Sequence, residues 1–216
     1  MKRDISIRQA KIADAEAILT IYGPICEASP TSFETRSPTL EEMEDRIRKI
    51  TAFYPWLVAE NDGKILGYAY AGQHRERAAY RWAIDVAVYI HADSRRTGIG
   101  TAVYCALFEL IKAQGFCRAY AGITVPNPGS IRIHQRMGFV PIGTYHEVGF
   151  KLGAWHDVLW MGAVLRSAIN EPKEPVGIGT IDPQTWEIAI RKGLAQLAKT
   201  DHHGSLNMTP DMERQL

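Results

Sequence analysis

The 216 residues carry 25 Lys+Arg against 24 Asp+Glu, and a formal charge of +1 gives no overall pull toward nucleic acid or a membrane surface. Hydrophobic residues make up 46% and charged ones 23%, the composition of a soluble globular protein, and no run of about eighteen apolar residues offers a membrane span. Any anion site therefore has to be local. The start, Met1-Lys2-Arg3-Asp4-Ile5, lacks the apolar stretch of a secretory signal, so the cytoplasm is the expected compartment. Three cysteines, Cys26, Cys105 and Cys117, at wide spacings suit neither a disulfide framework nor a zinc site; they are expected to be reduced and buried, with no metal.

Ser6-Ile7-Arg8 reads as a strand, and Asp14 as the N-cap of a helix with Ala15, Ala17, Ile18, Leu19, Ile21 and Tyr22 at helical recurrence. Thr39-Leu40-Glu41-Glu42 has the form of a capping box, with Met43, Ile47 and Ile50 following on one face; Phe33 lies in the loop between the two helices. The runs Trp56 to Glu60 and Ile65 to Ala71, joined through Asn61-Asp62-Gly63-Lys64, form a hairpin. Trp82 to Ile90 is a third apolar, β-rich run and predicts a buried central strand with Asp85 in its middle. A helix over Thr101 to Gln114 ends at Gly115, a strand follows over Ala119 to Thr124, and a helix over Ser130 to Met137 closes at Gly138. That order predicts a right-handed crossover between near-parallel strands, and Trp155 to Met161 supplies a last strand.

From about Arg166 the character changes. Glu171-Pro172-Lys173-Glu174-Pro175 and Gly177-Ile178-Gly179 resemble a linker. Asp182-Pro183 then opens an amphipathic helix carrying Trp186, Ala189, Ile190, Leu194 and Leu197, which docks either on its own core or on a second subunit. The expected organisation is one α/β (α+β) domain over 1–166 and a linker, helix and disordered tail over 167–216.

The segment Val88-Tyr89-Ile90 followed by Arg95-Arg96-Thr97-Gly98-Ile99-Gly100-Thr101 is a strand leading through a glycine turn into a helix start. The first amides of a helix have no intrahelical acceptor, the helix dipole adds partial positive charge, and glycine lets a backbone approach a pyrophosphate. Arg95 and Arg96 add direct charge. The segment lacks both the Gly-x-x-x-x-Gly-Lys-Ser/Thr and the Gly-x-Gly-x-x-Gly patterns.

The same residues match the Arg/Gln-x-x-Gly-x-Gly/Ala signature of the GNAT acetyltransferases. A linked second signature follows in Asn127-Pro128-Gly129-Ser130-Ile131-Arg132-Ile133-His134-Gln135-Arg136-Met137-Gly138-Phe139. The chain over about Ile5 to Leu165 resembles that superfamily, and within it the phosphinothricin and methionine sulfoximine acetyltransferases. Matching segments include Tyr54-Pro55-Trp56-Leu57-Val58-Ala59-Glu60 and Trp155-His156-Asp157-Val158. The resemblance implies a GNAT fold, a mixed central sheet flanked by helices, here with a C-terminal helical extension. It also implies acetyl-CoA as acetyl donor, with Val88, Tyr89 and Ile90 along the pantetheine arm, Arg95 to Thr101 at the phosphates, and Asn127 and Ser130 bordering the arm. Asn127 read on its own is a helix cap beside Pro128. A homodimer is expected.

Acetyl transfer to an amine needs a neutral nucleophile, and an α-ammonium is mostly protonated near pH 7, so a base is required. Asp85, in an apolar strand where burial raises its pKa, stands where the resemblance places a glutamate; it is the expected base, directly or through water, or else a buried structural aspartate. His134 is either a proton-transfer residue or a satisfied helix histidine; His74, His91, His146 and His156 have weaker cases. In Gln73-His74-Arg75-Glu76-Arg77-Ala78-Ala79-Tyr80, Arg75 and Arg77 either belong to a solvated loop or, as the resemblance implies, fork onto substrate anions, with Tyr80 and Phe33 beside them. The function this implies is N-acetylation of a small amino-acid-like amine. The alternatives are a peptide N-terminus or polyamine as acceptor, and a catalytically silent CoA-binding module.

Overall fold

The computed structural model describes residues 4–167 and 169–204. Its strands are β1 (Ile5–Gln9), β2 (Trp56–Asn61), β3 (Lys64–Gln73), β4 (Ala83–Ile90), β5 (Arg118–Val125), β6 (Val140–Lys151) and β7 (Ala154–Val164). The helices are α1 (Ala15–Ala28), α2 (Leu40–Thr51), α3 (Ile99–Gln114), α4 (Pro128–Arg136) and α5 (Pro183–Gly204). One seven-stranded sheet takes the order β1-β2-β3-β4-β5-β7-β6. All neighbours are antiparallel except β4 and β5, which run parallel on either side of α3.

Strand alternation divides the core. Leu57, Ala59, Ile84 and Val86 pack with α3 on one face, while Trp56, Val58 and Tyr68 pack with α1 and α2 on the other. The hairpin turn at Asp62 (φ 49°) and Gly63 (φ 75°) is the tight two-residue type its sequence demands. Thr39 and Glu42 cap α2 reciprocally, at 3.2 and 2.8 Å. Asp14 departs from expectation: its carboxylate makes no cap bond to α1. It accepts instead from the Lys11 amide at 2.7 Å and from Arg8 at 2.7 and 2.9 Å.

The tail is joined to the body at several points. Gln114 donates from Nε2 to the carbonyls of Phe53 and Val176, both at 2.8 Å. Trp82 Nε1 donates to the Lys173 carbonyl at 2.9 Å, Arg81 pairs with Glu174, and Ile178 is buried in the core. Asp182 caps α5 by accepting from the Thr185 amide at 2.9 Å. The helix buries Ala189 and lays Trp186, Ile190 and Leu194 on the same core as α3. Gly193 marks the crossing, where a Cβ would stand 2.6 Å from the Ala102 carbonyl oxygen. α5 thus docks on its own chain. Disorder is expected after Thr200, but α5 continues to Gly204; the residues beyond it lie outside the described residues.

Candidate active site

The sheet opens at its centre. β4 and β5 pair over Ala83–Arg118, Ile84–Ala119 and Asp85–Tyr120 and no further, although β4 continues to Ile90 and β5 to Val125. Hydrogen-bond phase fixes what faces the gap. The His91 amide donates to the Leu66 carbonyl at 2.9 Å, so in the antiparallel register the backbone groups of residues 85, 87 and 89 face β3. Those of Val86, Val88 and Ile90 face the opening, where no strand meets them. Tyr89, expected along the cofactor, turns its backbone toward β3, and its ring packs on Tyr22 and Tyr68, with centroids at 5.0 and 5.3 Å.

The same strand leads to the anion cradle. Gly98, left-handed at φ 87°, occupies the N-cap of α3 and brings no side chain to its amides, so those of Ile99, Gly100 and Thr101 stay available. Arg96 is also left-handed, at φ 63°. Arg95 and Arg96 are exposed, and neither forms an ion pair among the described residues. The Thr97 hydroxyl closes the turn by donating to the Ser94 carbonyl at 2.6 Å. Gly100 also meets a packing need: a Cβ there would lie 2.8 Å from Ile133 Cδ1 and 3.5 Å from Ile90 Cγ1, so its smallness lets α3 pack on α4 and β4. Asn127 is a cap, accepting from the Ser130 amide at 3.1 Å, and its side-chain amino group has no partner within the described residues. These residues fit a pantetheine diphosphate: a free strand edge, uncapped helix amides and unpaired guanidinium groups in sequence along the chain.

Asp85, at the last β4–β5 pair, is half-buried. Burial pushes its carboxyl upward, while the bond to His74 and then the charges of His74 and Arg75 pull it back. His74 Nδ1 lies 2.7 Å from Asp85 Oδ1. The imidazole stacks on Tyr120 at 4.5 Å and meets Tyr80 and Trp160 edge-on at 5.8 and 6.3 Å. The Arg75 guanidinium sits 5.6 Å over Trp160, so Asp85, His74, Arg75 and Tyr80 form one group. Arg77 is exposed at the start of a short turn with no ion pair among the described residues. Phe33 lies over β6 against Gly149, and its neighbour Glu34 is held by Arg46 at 2.6 and 3.0 Å and by the Tyr22 hydroxyl at 2.9 Å.

His134 stands apart. It is 4% exposed, its Nδ1 lies 2.7 Å from the Ser130 carbonyl and its Nε2 lies 3.0 Å from the Tyr104 hydroxyl. Both ring nitrogens are therefore engaged, and burial depresses the imidazole's pKa with only the Ser130 carbonyl opposing. In this arrangement each ring nitrogen has a hydrogen-bond partner within the chain. Sequence reasoning did not place His74 beside Asp85 and did not single out Tyr120, Trp160 or Lys151. Lys151, 5% exposed, donates to the carbonyls of Ser29 and Ser32 at 2.7 and 2.6 Å and ties the Phe33 loop to β6. A groove of about 830 Å³ along α5, lined by Trp186, Ile190 and Leu194, includes none of these residues. No cluster of three or more metal-binding side chains occurs among the described residues.

The sheet order, its opened centre and the helix that follows define an acyltransferase of the GNAT type. Residues 7–160 match the family model for the acetyltransferase (GNAT) domain, and the chain belongs to that family. It is 37% identical over 176 residues to a phosphinothricin N-acetyltransferase of Streptomyces viridochromogenes, covering 81% of this chain and 96% of that one. It is 31% identical over 179 residues to an L-amino acid N-acyltransferase of Escherichia coli, covering 81% of this chain and 100% of the relative. Among solved structures, a phosphinothricin acetyltransferase from Sinorhizobium meliloti in complex with AcCoA superposes with a TM-score of 0.75 at 34% identity, covering 80% of this chain and 95% of that one.

Proposed function

We propose that the chain uses acetyl-CoA to acetylate the amine of a small, anionic, amino-acid-like molecule, with phosphinothricin and methionine sulfoximine as representative acceptors. One observation carries the reading: a single strand runs from the acid–imidazole pair at Asp85, along the free edge of Val86, Val88 and Ile90, to the uncapped start of α3. The backbone of Val88 and Ile90 would hold the pantetheine arm, with Asn127 and Ser130 beside it. The amides of Ile99, Gly100 and Thr101 with Arg95 and Arg96 would hold the phosphates, on the turn set by Thr97 and Gly98. Acetyl-CoA supplies an acetyl group activated as a thioester. The chain's part is to orient the acceptor through Arg75, Arg77, Tyr80 and Phe33, and to take its ammonium proton at the Asp85 pair. The relatives named for phosphinothricin, for methionine sulfoximine and for L-amino acids support that acceptor class.

A second copy of the chain belongs to this reading. β6 is an edge strand, and Val140, Ile142, Tyr145, Val148 and Phe150 on it, with Trp155 on β7, are exposed apolar side chains of the kind a homodimer would cover. Three free thiols suit a reducing compartment such as the cytoplasm. The deciding experiment is CoA release over a panel of amino-acid analogues, polyamines and peptides, with acetyl-CoA binding measured in parallel. Release driven by the amino-acid analogues is expected. Binding with no release from any amine would make the chain a CoA-binding module, and release by polyamines or peptides alone would move the acceptor class.

A further inference from the structure

We propose that His74 is the proton acceptor for the substrate ammonium and that Asp85 is the carboxylate that orients it. The inference deepens the acetyltransferase reading and rests on it. Asp85 and Tyr120 are the last residues joined across β4 and β5, and His74 touches both, through the 2.7 Å bond to Asp85 and the 4.5 Å stack on Tyr120. The ring thus straddles the point where the strands part, which is where an acceptor amine has to meet a donor lying along β4.

Its orientation is fixed from several sides. Tyr120 covers one face, Tyr80 and Trp160 approach edge-on, and the Arg75 guanidinium lies over Trp160. The His74 side chain is 12% exposed, so little rotamer freedom remains to be lost on binding. With Nδ1 committed to Asp85, Nε2 has no hydrogen-bond partner among the described residues. A carboxylate at Nδ1 selects the tautomer with its proton on that nitrogen and leaves Nε2 as a lone-pair acceptor. Asp85 alone is less well placed: one of its oxygens is already engaged, and its side chain is among the shorter ones.

The step balances as follows. An N–H bond of the ammonium breaks and an Nε2–H bond forms; the amine keeps the electron pair, and the imidazolium is held by the Asp85 carboxylate through Nδ1–H. The proton then passes from Nε2 to water, which restores the neutral ring.

The test has two arms. Nitrogen-15 NMR of the imidazole in the full-length protein without cofactor should show protonated Nδ1 and bare Nε2 for His74 at the assay pH. A ring protonated on Nε2, or on both nitrogens, overturns the proposal. In kinetics, His74→Phe, which keeps the aromatic packing, should lose about 10²–10⁴-fold in kcat, the usual range for a general base, with acetyl-CoA affinity unchanged. His74→Gln is the second variant should Phe fail to fold. Asp85→Asn should also lose kcat, and the double variant should fall no lower than the worse single one, because the two act as a unit. An aminooxy acceptor, neutral without help, should recover at least tenfold of the loss in His74→Phe. If both His74 variants keep activity within threefold while Asp85→Asn collapses, Asp85 is the base and His74 is not. If wild-type protein acetylates no amine, the acetyltransferase reading fails, and the NMR arm still decides the tautomer.

Discussion

Phe33 lies so close to Gly149 that a Cβ on residue 149 would stand 2.6 Å from the ring's Cζ. The loop between α1 and α2 is thereby set on the backbone of β6, and the Lys151 ammonium fixes it there through Ser29 and Ser32. Gly149→Ala should push the ring aside rather than unfold the strand, because Phe33 is 40% exposed and can swing outward. Stability should change by less than about 1 kcal/mol, while the acceptor KM rises several-fold and acetyl-CoA affinity holds. Unaltered acceptor kinetics would remove Phe33 from the acceptor site.

Gly100→Val brings branched carbon into a space already filled by Ile133 and Ile90. Overpacking of that kind costs about 1–3 kcal/mol and should lift the start of α3 off β4. Acetyl-CoA affinity and the melting temperature are expected to fall together. Calorimetry showing lost affinity at an unchanged melting temperature would point to the backbone approach alone.

The Tyr104–His134 bond makes a pH prediction. Because burial holds the folded imidazole below its ordinary value, the unfolded chain takes up a proton first as pH falls. The stabilisation is complete above the unfolded value, near 6.5, and is lost as pH drops through the lower folded value. The wild-type melting temperature should decline below about pH 6.5, and His134→Gln should decline less over the same interval. Tyr104→Phe strands the Nε2 acceptor and should lose about 1–3 kcal/mol at pH 7. Equal pH slopes for wild type and His134→Gln would refute the assignment.

Removing everything after Arg166 should destabilise the protein, because α5 lays the partly buried Trp186, Ile190 and Leu194 on the core beside α3, and burial contributes about 25 cal/mol per Å² of apolar surface. Gly193→Val is the finer probe, since its Cβ meets the Ala102 carbonyl and no rotamer relieves a backbone clash. A truncated chain that melts like the whole protein would show that α5 is dispensable.

Arg75→Ala and Arg77→Ala test the charge of the acceptor. A guanidinium lost from a desolvated carboxylate or phosphinate weakens transition-state binding by about 2–4 kcal/mol, roughly thirty-fold to a thousand-fold in kcat/KM. A neutral amide of the same acceptor should lose much less. Equal losses for acid and amide would assign both arginines to the fold.

Local signals carried most of the fold. Asp62-Gly63 specifies its turn through two positive φ values, and Thr39 with Glu42 caps α2 without help from distant residues. β6 escaped notice because Pro141, Gly143 and Gly149 break its alternation, and the pairing itself slips at Pro141/Gly143 and Tyr145/Gly149. An edge strand tolerates such residues. At the site, the glycine turn and the Asn127 cap are contiguous in sequence and could be read there. The His74–Asp85 contact could not: the residues are eleven apart, and they meet because Gly72 pairs with Asp85 across two strands, two residues before the histidine. The Tyr104–His134 contact could not be read either, since the tyrosine lies thirty residues away on another helix.

A sheet that parts at its middle carries two internal edges, and unmet edges recruit other chains. Here they face each other between β4 and β5, beyond the last pair at Asp85 and Tyr120. A slender ligand there would act as an eighth strand that the gene does not encode, and by binding the native state alone it would add about 2.7 kcal/mol at a hundred times its Kd. The amides of Val88 and Ile90 would then pass from rapid hydrogen exchange to the slow exchange of a sheet interior. Cohesion between the two half-sheets would then rise with the concentration of that ligand.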